Sequence, residues 1–196
     1  MVQSLLEHGR SSLVLVFSLD EAPLKWAIGG FVEMPKIIRT EIEKCIGCRL
    51  CEMHCAIAHE GDNQSRIRIE SFFPGIEIPV LCFHCKNTPC KNACPVEAIR
   101  IEENCVVQID SNKCIGCGEC VRACPAKAIF KIKKQMAPVV CDLCKAKTKL
   151  ACVDICPTKA LIYDEVPFDG SLYAKDPEIK AMEYCKKNNL HNNPDA

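Results

Sequence analysis

Sixteen of the eighteen cysteines in this 196-residue chain fall into four motifs of four, and that spacing constrains the fold more than any other feature. The motifs are Cys45-x2-Cys48-x2-Cys51-x3-Cys55, Cys82-x2-Cys85-x4-Cys90-x3-Cys94, Cys114-x2-Cys117-x2-Cys120-x3-Cys124 and Cys141-x2-Cys144-x7-Cys152-x3-Cys156. Cys94-Pro95-Val96-Glu97-Ala98-Ile99, Cys124-Pro125-Ala126-Lys127-Ala128-Ile129 and Cys156-Pro157-Thr158-Lys159-Ala160-Leu161 are copies of one another, 30 and then 32 residues apart. A period of that length is one supersecondary unit. Each Cys-Pro predicts a brief turn followed by an apolar, β-favouring run, over residues 98–101 and 128–132. Glu103-Asn104 reads as the hairpin connection between Ile99-Arg100-Ile101 and Val106-Val107-Gln108-Ile109.

Cysteine at about 9% of a chain signals either a disulfide scaffold in an exported protein or a metal-loaded protein in a reducing compartment. The apolar run over residues 12–19 is followed by Asp20-Glu21 and lacks an Ala-x-Ala cleavage pattern, so no export signal is read. No apolar stretch reaches the roughly 18 residues that a bilayer span requires. The expectation is a cytoplasmic protein with reduced thiols and no direct membrane span. Lysine plus arginine balances aspartate plus glutamate at 25 each, so the chain's charge points to neither nucleic acid nor an anionic membrane.

Three thiolates within seven residues can wrap three corners of an iron–sulfur cubane, and the fourth corner must come from elsewhere. The third motif has the bacterial ferredoxin spacing, in which the cysteine before proline ligates the other cluster of a pair. Motifs therefore work in twos: the second pairs with the third beside it, and the first with the fourth across them. Zinc is the competing reading, because Cys-x2-Cys pairs also make zinc knuckles, and it predicts a colourless interaction module. Tetrahedral zinc has no need of the recurring Cys-x2-Cys-x2-Cys and Cys-x3-Cys-Pro patterns. No Cys-x2-Cys precedes a histidine, which excludes c-type haem attachment. A Cys-x3-Cys-x2-Cys triplet for radical chemistry is missing too, so the chain reads as an electron carrier and not an enzyme.

On these motifs, and on Cys45-Ile46-Gly47-Cys48-Arg49-Leu50-Cys51-Glu52, the chain resembles the four-cluster iron–sulfur subunits of the dimethyl sulfoxide reductase, formate dehydrogenase and hydrogenase group. The resemblance covers residues 36–165. It is nearest to the short electron-transfer subunits that serve carbon monoxide dehydrogenases, hydrogenases or tungsten aldehyde oxidoreductases. The resemblance implies four [4Fe–4S] clusters with crossed ligation: Cys45, Cys48, Cys51 with Cys156; Cys141, Cys144, Cys152 with Cys55; Cys82, Cys85, Cys90 with Cys124; and Cys114, Cys117, Cys120 with Cys94. It implies as partner a catalytic oxidoreductase subunit, a tungsten or molybdenum enzyme, carbon monoxide dehydrogenase or hydrogenase. A free-standing polyferredoxin shuttle is the alternative. Ala56 follows Cys55 where the other motifs have proline, a departure that falls on the outer pair.

The expected fold is α+β, two nested bacterial-ferredoxin-like modules with short hairpins and short helices. The inner module occupies about residues 80–130 and the outer one residues 36–79 plus 131–165. Residues 1–35 are expected to be an N-terminal extension, the part upstream of Met34 being either a gene-start extension before the true initiator or a real amphipathic segment. Residues 166–196 are expected to be a C-terminal helix and tail, opened by Asp176-Pro177-Glu178 with Ile179, Met182 and Cys185 on one face. Cys105, in the expected strand, and Cys185 read as small buried hydrophobes. His54, His59 and His84 lie beside motif cysteines, where they could tune a bound cluster or be ordinary loop residues. Lys131, Lys133 and Lys134 with Lys145, Lys147 and Lys149 form a basic neighbourhood, either a solvated face or a dock for an acidic partner.

Overall fold

The structure, a computed structural model, describes residues 36–59, 64–102, 105–133, 135–145, 147–165, 174–188 and 190. The expected N-terminal extension lies outside them. The described chain is a small α+β unit of four two-stranded antiparallel sheets and short helices. In order these are β1 (Lys36–Thr40), α1 (Leu50–Ala58), β2 (Arg68–Phe72), β3 (Ile76–Val80), α2 (Pro89–Asn92), β4 (Ile99–Ile101), β5 (Val107–Ile109), α3 (Glu119–Ala123), β6 (Ile129–Phe130), β7 (Val139–Val140), α4 (Ala151–Ile155), β8 (Leu161–Glu165) and α5 (Pro177–Lys187). No helix among the described residues is long and apolar enough to cross a membrane.

The two ends of the cysteine region meet. β1 pairs with β8, Ile38 opposite Tyr163, and Arg39 reaches Asp164 across the pair at 3.0 Å. Hairpins β2–β3, β4–β5 and β6–β7 close the other sheets, and α1 packs on α4 while α2 packs on α3. Ile37, Ile38, Ile67, Ile78, Leu81, Val106 and Val107 are fully buried, and motif cysteines Cys51, Cys55, Cys82, Cys90, Cys120, Cys141, Cys144 and Cys152 are buried with them. The metal-ligand candidates thus occupy the positions that leucine or valine fills in an ordinary core.

Three local expectations are corrected. The run after the third motif forms only the two-residue β6, because its partner β7 begins just after Pro138, which has no N–H to extend the ladder. Cys105 is half-buried in the turn before β5, with φ 66°, and its N–H donates to the Glu102 carbonyl at 2.9 Å. The Asp176 carboxylate does cap α5, accepting from the Glu178 N–H at 3.0 Å. Its buried face, however, is Pro177, Ala181 and Cys185, an i, i+4, i+8 row, and Ile179 and Met182 are exposed. α5 lies along β2 and β3, with the Lys180 ammonium 4.4 Å from the centre of the Phe83 ring.

Candidate metal centres

The first Cys-x2-Cys loop of each motif carries a left-handed residue just before its second cysteine. These are Gly47 (φ 66°), His84 (φ 49°), Gly116 (φ 71°) and Leu143 (φ 53°). Positive φ folds the chain back so that this residue's amide faces the first sulfur. His84 N–H donates to Cys82 Sγ and Gly116 N–H to Cys114 Sγ, both at 3.4 Å, and the Gly47 and Leu143 amides do the same for Cys45 and Cys141. A side chain on a left-handed backbone costs about 1 kcal/mol, so His84 and Leu143 hold this conformation under constraint. At Gly116 a Cβ would also lie 3.0 Å from the backbone oxygen of Met136. Gly116→Ala is therefore expected to destabilise the holoprotein by about 1–3 kcal/mol, read as a lowered thermal bleaching midpoint.

The last cysteine of a motif has its own device. Glu97, Lys127 and Lys159 are left-handed, and the next amides, Ala98, Ala128 and Ala160, each donate at 3.3 Å to the sulfurs of Cys94, Cys124 and Cys156. Cys55 differs because Ala56 lets α1 run on through it. Its sulfur accepts instead from the Arg66 N–H at 3.2 Å. The missing proline is thus answered by a loop that comes back from beyond the helix.

The cysteines of different motifs converge. One cavity is lined by Cys45, Cys48, Cys51 and Cys156, and another by Cys82, Cys85, Cys90 and Cys124. Cys152 lies in the field of Cys141, Cys55, Cys144 and, more weakly, Cys51; Cys120 lies in that of Cys114, Cys90 and Cys117. Cys82 in turn feels Cys141 and Cys124, and Cys90 feels Cys124 and Cys94. Burial pushes the Cys51 and Cys141 thiols up to about 12 and Cys120 to about 11, with Cys82 and Cys152 also raised. Burial acts the same way on Cys55 and Cys156, but His59 and the Arg66 amide at one, and Thr158 and the Ala160 amide at the other, leave these two thiols below their ordinary value.

Such clustering of thiols that resist ionisation suits a cation shared among them. The spacing bears on which one. Around one zinc ion, sulfurs 2.3 Å from the metal stand about 3.8 Å from each other. Among the described residues no three cysteine sulfurs all lie within 4.8 Å of one another. Four thiols around a cavity, with amides aimed at the sulfurs, fit a cluster with an iron at each corner better than a single ion.

Comparison with known proteins agrees. A family model described as a 4Fe-4S dicluster domain matches residues 75–166. The polyferredoxin-like subunit of the aliphatic sulfonate oxidoreductase of Pyrococcus furiosus is 39% identical over 155 residues, covering 74% of this chain and 88% of that one. This chain belongs to the 4Fe–4S dicluster ferredoxin-like family. Electron transport protein HydN of Escherichia coli is 32% identical over 157 residues, covering 66% of this chain and 87% of that protein. Thiosulfate reductase electron transfer subunit PhsB of Salmonella typhi is 34% identical over 135 residues, 61% of this chain and 70% of PhsB. Within this family the chain is an iron–sulfur electron carrier and not a catalyst.

Two of the three histidines are built into the ferredoxin-like sites. His59 donates from Nδ1 to the Cys55 carbonyl at 2.7 Å and from Nε2 to Asp142 Oδ1 at 3.0 Å, and Arg66 Nε stands 3.9 Å from Asp142 Oδ2. Both ring nitrogens face acceptors, so the imidazolium is favoured, raised to about 10 mainly by Asp142 and then by Cys55. Burial pushes the Asp142 carboxyl up, but His59 outweighs it and holds it below its ordinary value. While Asp142 is ionised the pair's contribution is full below the unfolded histidine value of about 6.5 and is lost as pH rises through about 10; in acid it is lost again as Asp142 takes up its proton. His84 is the opposite case: burial lowers it to about 4. Its Nδ1 accepts from the Val107 N–H at 3.2 Å, which leaves the proton on Nε2, and that buried N–H has no partner among the described residues. A cluster sulfur is the acceptor such a donor fits, and an unanswered one costs about 1–3 kcal/mol. Sequence reasoning missed Arg66 and Asp142; only the position of Asp142 next to Cys141 hinted at either. His54, on α1, is half-buried with no such placement.

Proposed function

We propose that the chain holds four [4Fe–4S] clusters in two nested modules and relays electrons for a catalytic oxidoreductase subunit. The observation that carries this reading is the set of four sulfurs drawn from two distant motifs around one cavity, Cys156 with Cys45, Cys48 and Cys51, too widely spread for a single ion. The ligand sets are then Cys45, Cys48, Cys51, Cys156; Cys55, Cys141, Cys144, Cys152; Cys82, Cys85, Cys90, Cys124; and Cys94, Cys114, Cys117, Cys120. Nesting is supported by the β1–β8 pair and the α1–α4 contact, which enclose the α2–α3 contact in sequence.

These sets follow one another in a line. Cys51 and Cys152 neighbour each other between the first and second sets, Cys82 and Cys141 between the second and third, and Cys90 and Cys120 between the third and fourth. Each bound cluster would supply a one-electron couple, and the protein's amides set its level by hydrogen-bonding the sulfurs. The line ends at two exposed cysteines, Cys48 and Cys117.

A subunit role is supported by the relatives named as subunits of sulfonate and thiosulfate enzymes, and by the surface near Cys48. There Ile46, Met53 and Ile57 are each more than half exposed, and the neighbouring charges pair among themselves, Arg49 with Glu52 and Lys44 with Glu41. Apolar surface with internally matched charge suits a lasting interface. The catalytic partner is proposed to be a tungsten, molybdenum, carbon monoxide dehydrogenase or hydrogenase protein. Iron and acid-labile sulfide analysis of anaerobically prepared protein tests the cluster number. About sixteen of each per chain is expected, and about eight overturns the outer pair.

A further inference from the structure

The face around Cys117 differs from the one around Cys48, and the difference rests on charge. Cys117 is exposed, flanked by Ile115 at 57% exposure and Met136 at 66%. Met136 belongs to the β6–β7 connection, which lies against Gly116, and Lys131 of the same connection reaches the Gly116 carbonyl at 3.5 Å. Lys133 follows on that connection, and Lys113 immediately precedes Cys114 in the loop. All three lysines are exposed, and among the described residues none of them is in an ion pair. The acidic groups nearby are engaged: Glu119 is bonded to Arg122, and the Asp110 carboxylate accepts from the Asn112 N–H at 3.0 Å. Elsewhere Lys145 is matched with Glu102, Lys127 with Asp176 and Lys175 with Glu183, while Lys91, Lys147 and Lys149 are exposed and, among the described residues, in no ion pair.

We propose that the Cys117 face is the docking site of a small acidic electron-carrier protein, steered by Lys113, Lys131 and Lys133 onto an apolar spot formed by Ile115 and Met136. The inference rests on the electron-relay reading and names the partner at one of its ends. Two apolar side chains are too little for an obligate subunit interface, whereas a small apolar centre ringed by one sign of charge is what a transient redox encounter needs. Unpaired lysines at the rim raise the association rate of an anionic partner more than its affinity. The step is a single electron transfer. An anionic flavin hydroquinone gives one electron to an oxidised cluster and becomes the neutral semiquinone, with no bond formed or broken and no proton moved.

The test uses the holoprotein, mixed anaerobically at low ionic strength with fully reduced flavodoxin, an acidic carrier, while cluster bleaching is followed. In the triple variant Lys113→Glu, Lys131→Glu, Lys133→Glu the second-order rate is expected to fall about tenfold or more, and the decline of the rate with added salt to flatten. A variant of equal charge change elsewhere, Lys91→Glu, Lys147→Glu, Lys149→Glu, is expected to lose less than about threefold. The reduced methyl viologen cation is expected to bleach the first variant at an unchanged or higher rate. Slowing with both reductants, slowing with neither, or equal slowing in the two variants overturns the docking site. Dithionite separates this from the broader reading: wild-type protein that dithionite cannot bleach overturns electron transfer itself, while bleaching by dithionite with indifferent flavodoxin rates overturns only the docking face.

Discussion

Cys45→Ala and Cys156→Ala, made singly, are each expected to remove one cluster, and made together are expected to remove no second one. The two residues are 111 positions apart in sequence yet line the same cavity. If they ligate one cluster, either substitution leaves about twelve of about sixteen irons, and the double variant still holds about twelve. If each motif instead kept its four cysteines to itself, the double variant would fall to about eight. This is a mutant cycle whose interaction term equals a whole cluster, far outside the scatter of iron analysis. The pair Cys55→Ala and Cys141→Ala is expected to behave in the same way for the neighbouring set, and Cys45→Ala with Cys141→Ala to be additive. Partial damage to a cluster alters the irons lost per site, but it cannot make two independent losses equal one.

Much of this geometry was legible because ligand spacing is a local property. Cys-x2-Cys fixes how a loop must turn, and the repeated Cys-Pro stretches announced three equal copies whose amides meet their sulfurs at the same 3.3 Å. The helix opened by Asp176 was equally readable, since a cap and a proline act on their immediate neighbours. What escaped were the long-range choices. Which face of α5 is buried depends on β2 and β3 far upstream, and there the small Ala181 fits where Ile179 and Met182 do not. Arg66 and Asp142 reach Cys55 and His59 only after the chain has folded, 11 residues away in one case and 83 in the other. The left-handed His84 and Leu143 were hidden for another reason. Glycine stands at the equivalent places, 47 and 116, and nothing in the local sequence marks residues 84 and 143 as left-handed.

Removing the iron is expected to unfold the chain. Helices α2, α3 and α4 have four or five residues, well short of the roughly 12–15 an isolated helix needs, and the sheets have two strands each, which are marginal alone. Eight of the sixteen motif cysteines are buried, so a stripped chain would have to keep thiols packed around empty cavities, or rearrange. Binding free energy at such sites is folding free energy. Anaerobic chelation after ferricyanide oxidation is therefore expected to abolish most of the far-ultraviolet circular dichroism as the visible absorption disappears, the two signals falling together. Ellipticity that survives complete loss of iron would show that the apolar residues, Ile37, Ile78, Leu81 and their neighbours, hold the fold without help. Acid should act in the same direction. Burial pushes the Cys51 and Cys141 thiols up to about 12, and a ligand must release its proton to bind iron. Each step down in pH thus favours the protonated, metal-free chain, and in the absence of chelator the half-time for joint loss of visible absorption and ellipticity is expected to shorten as pH falls.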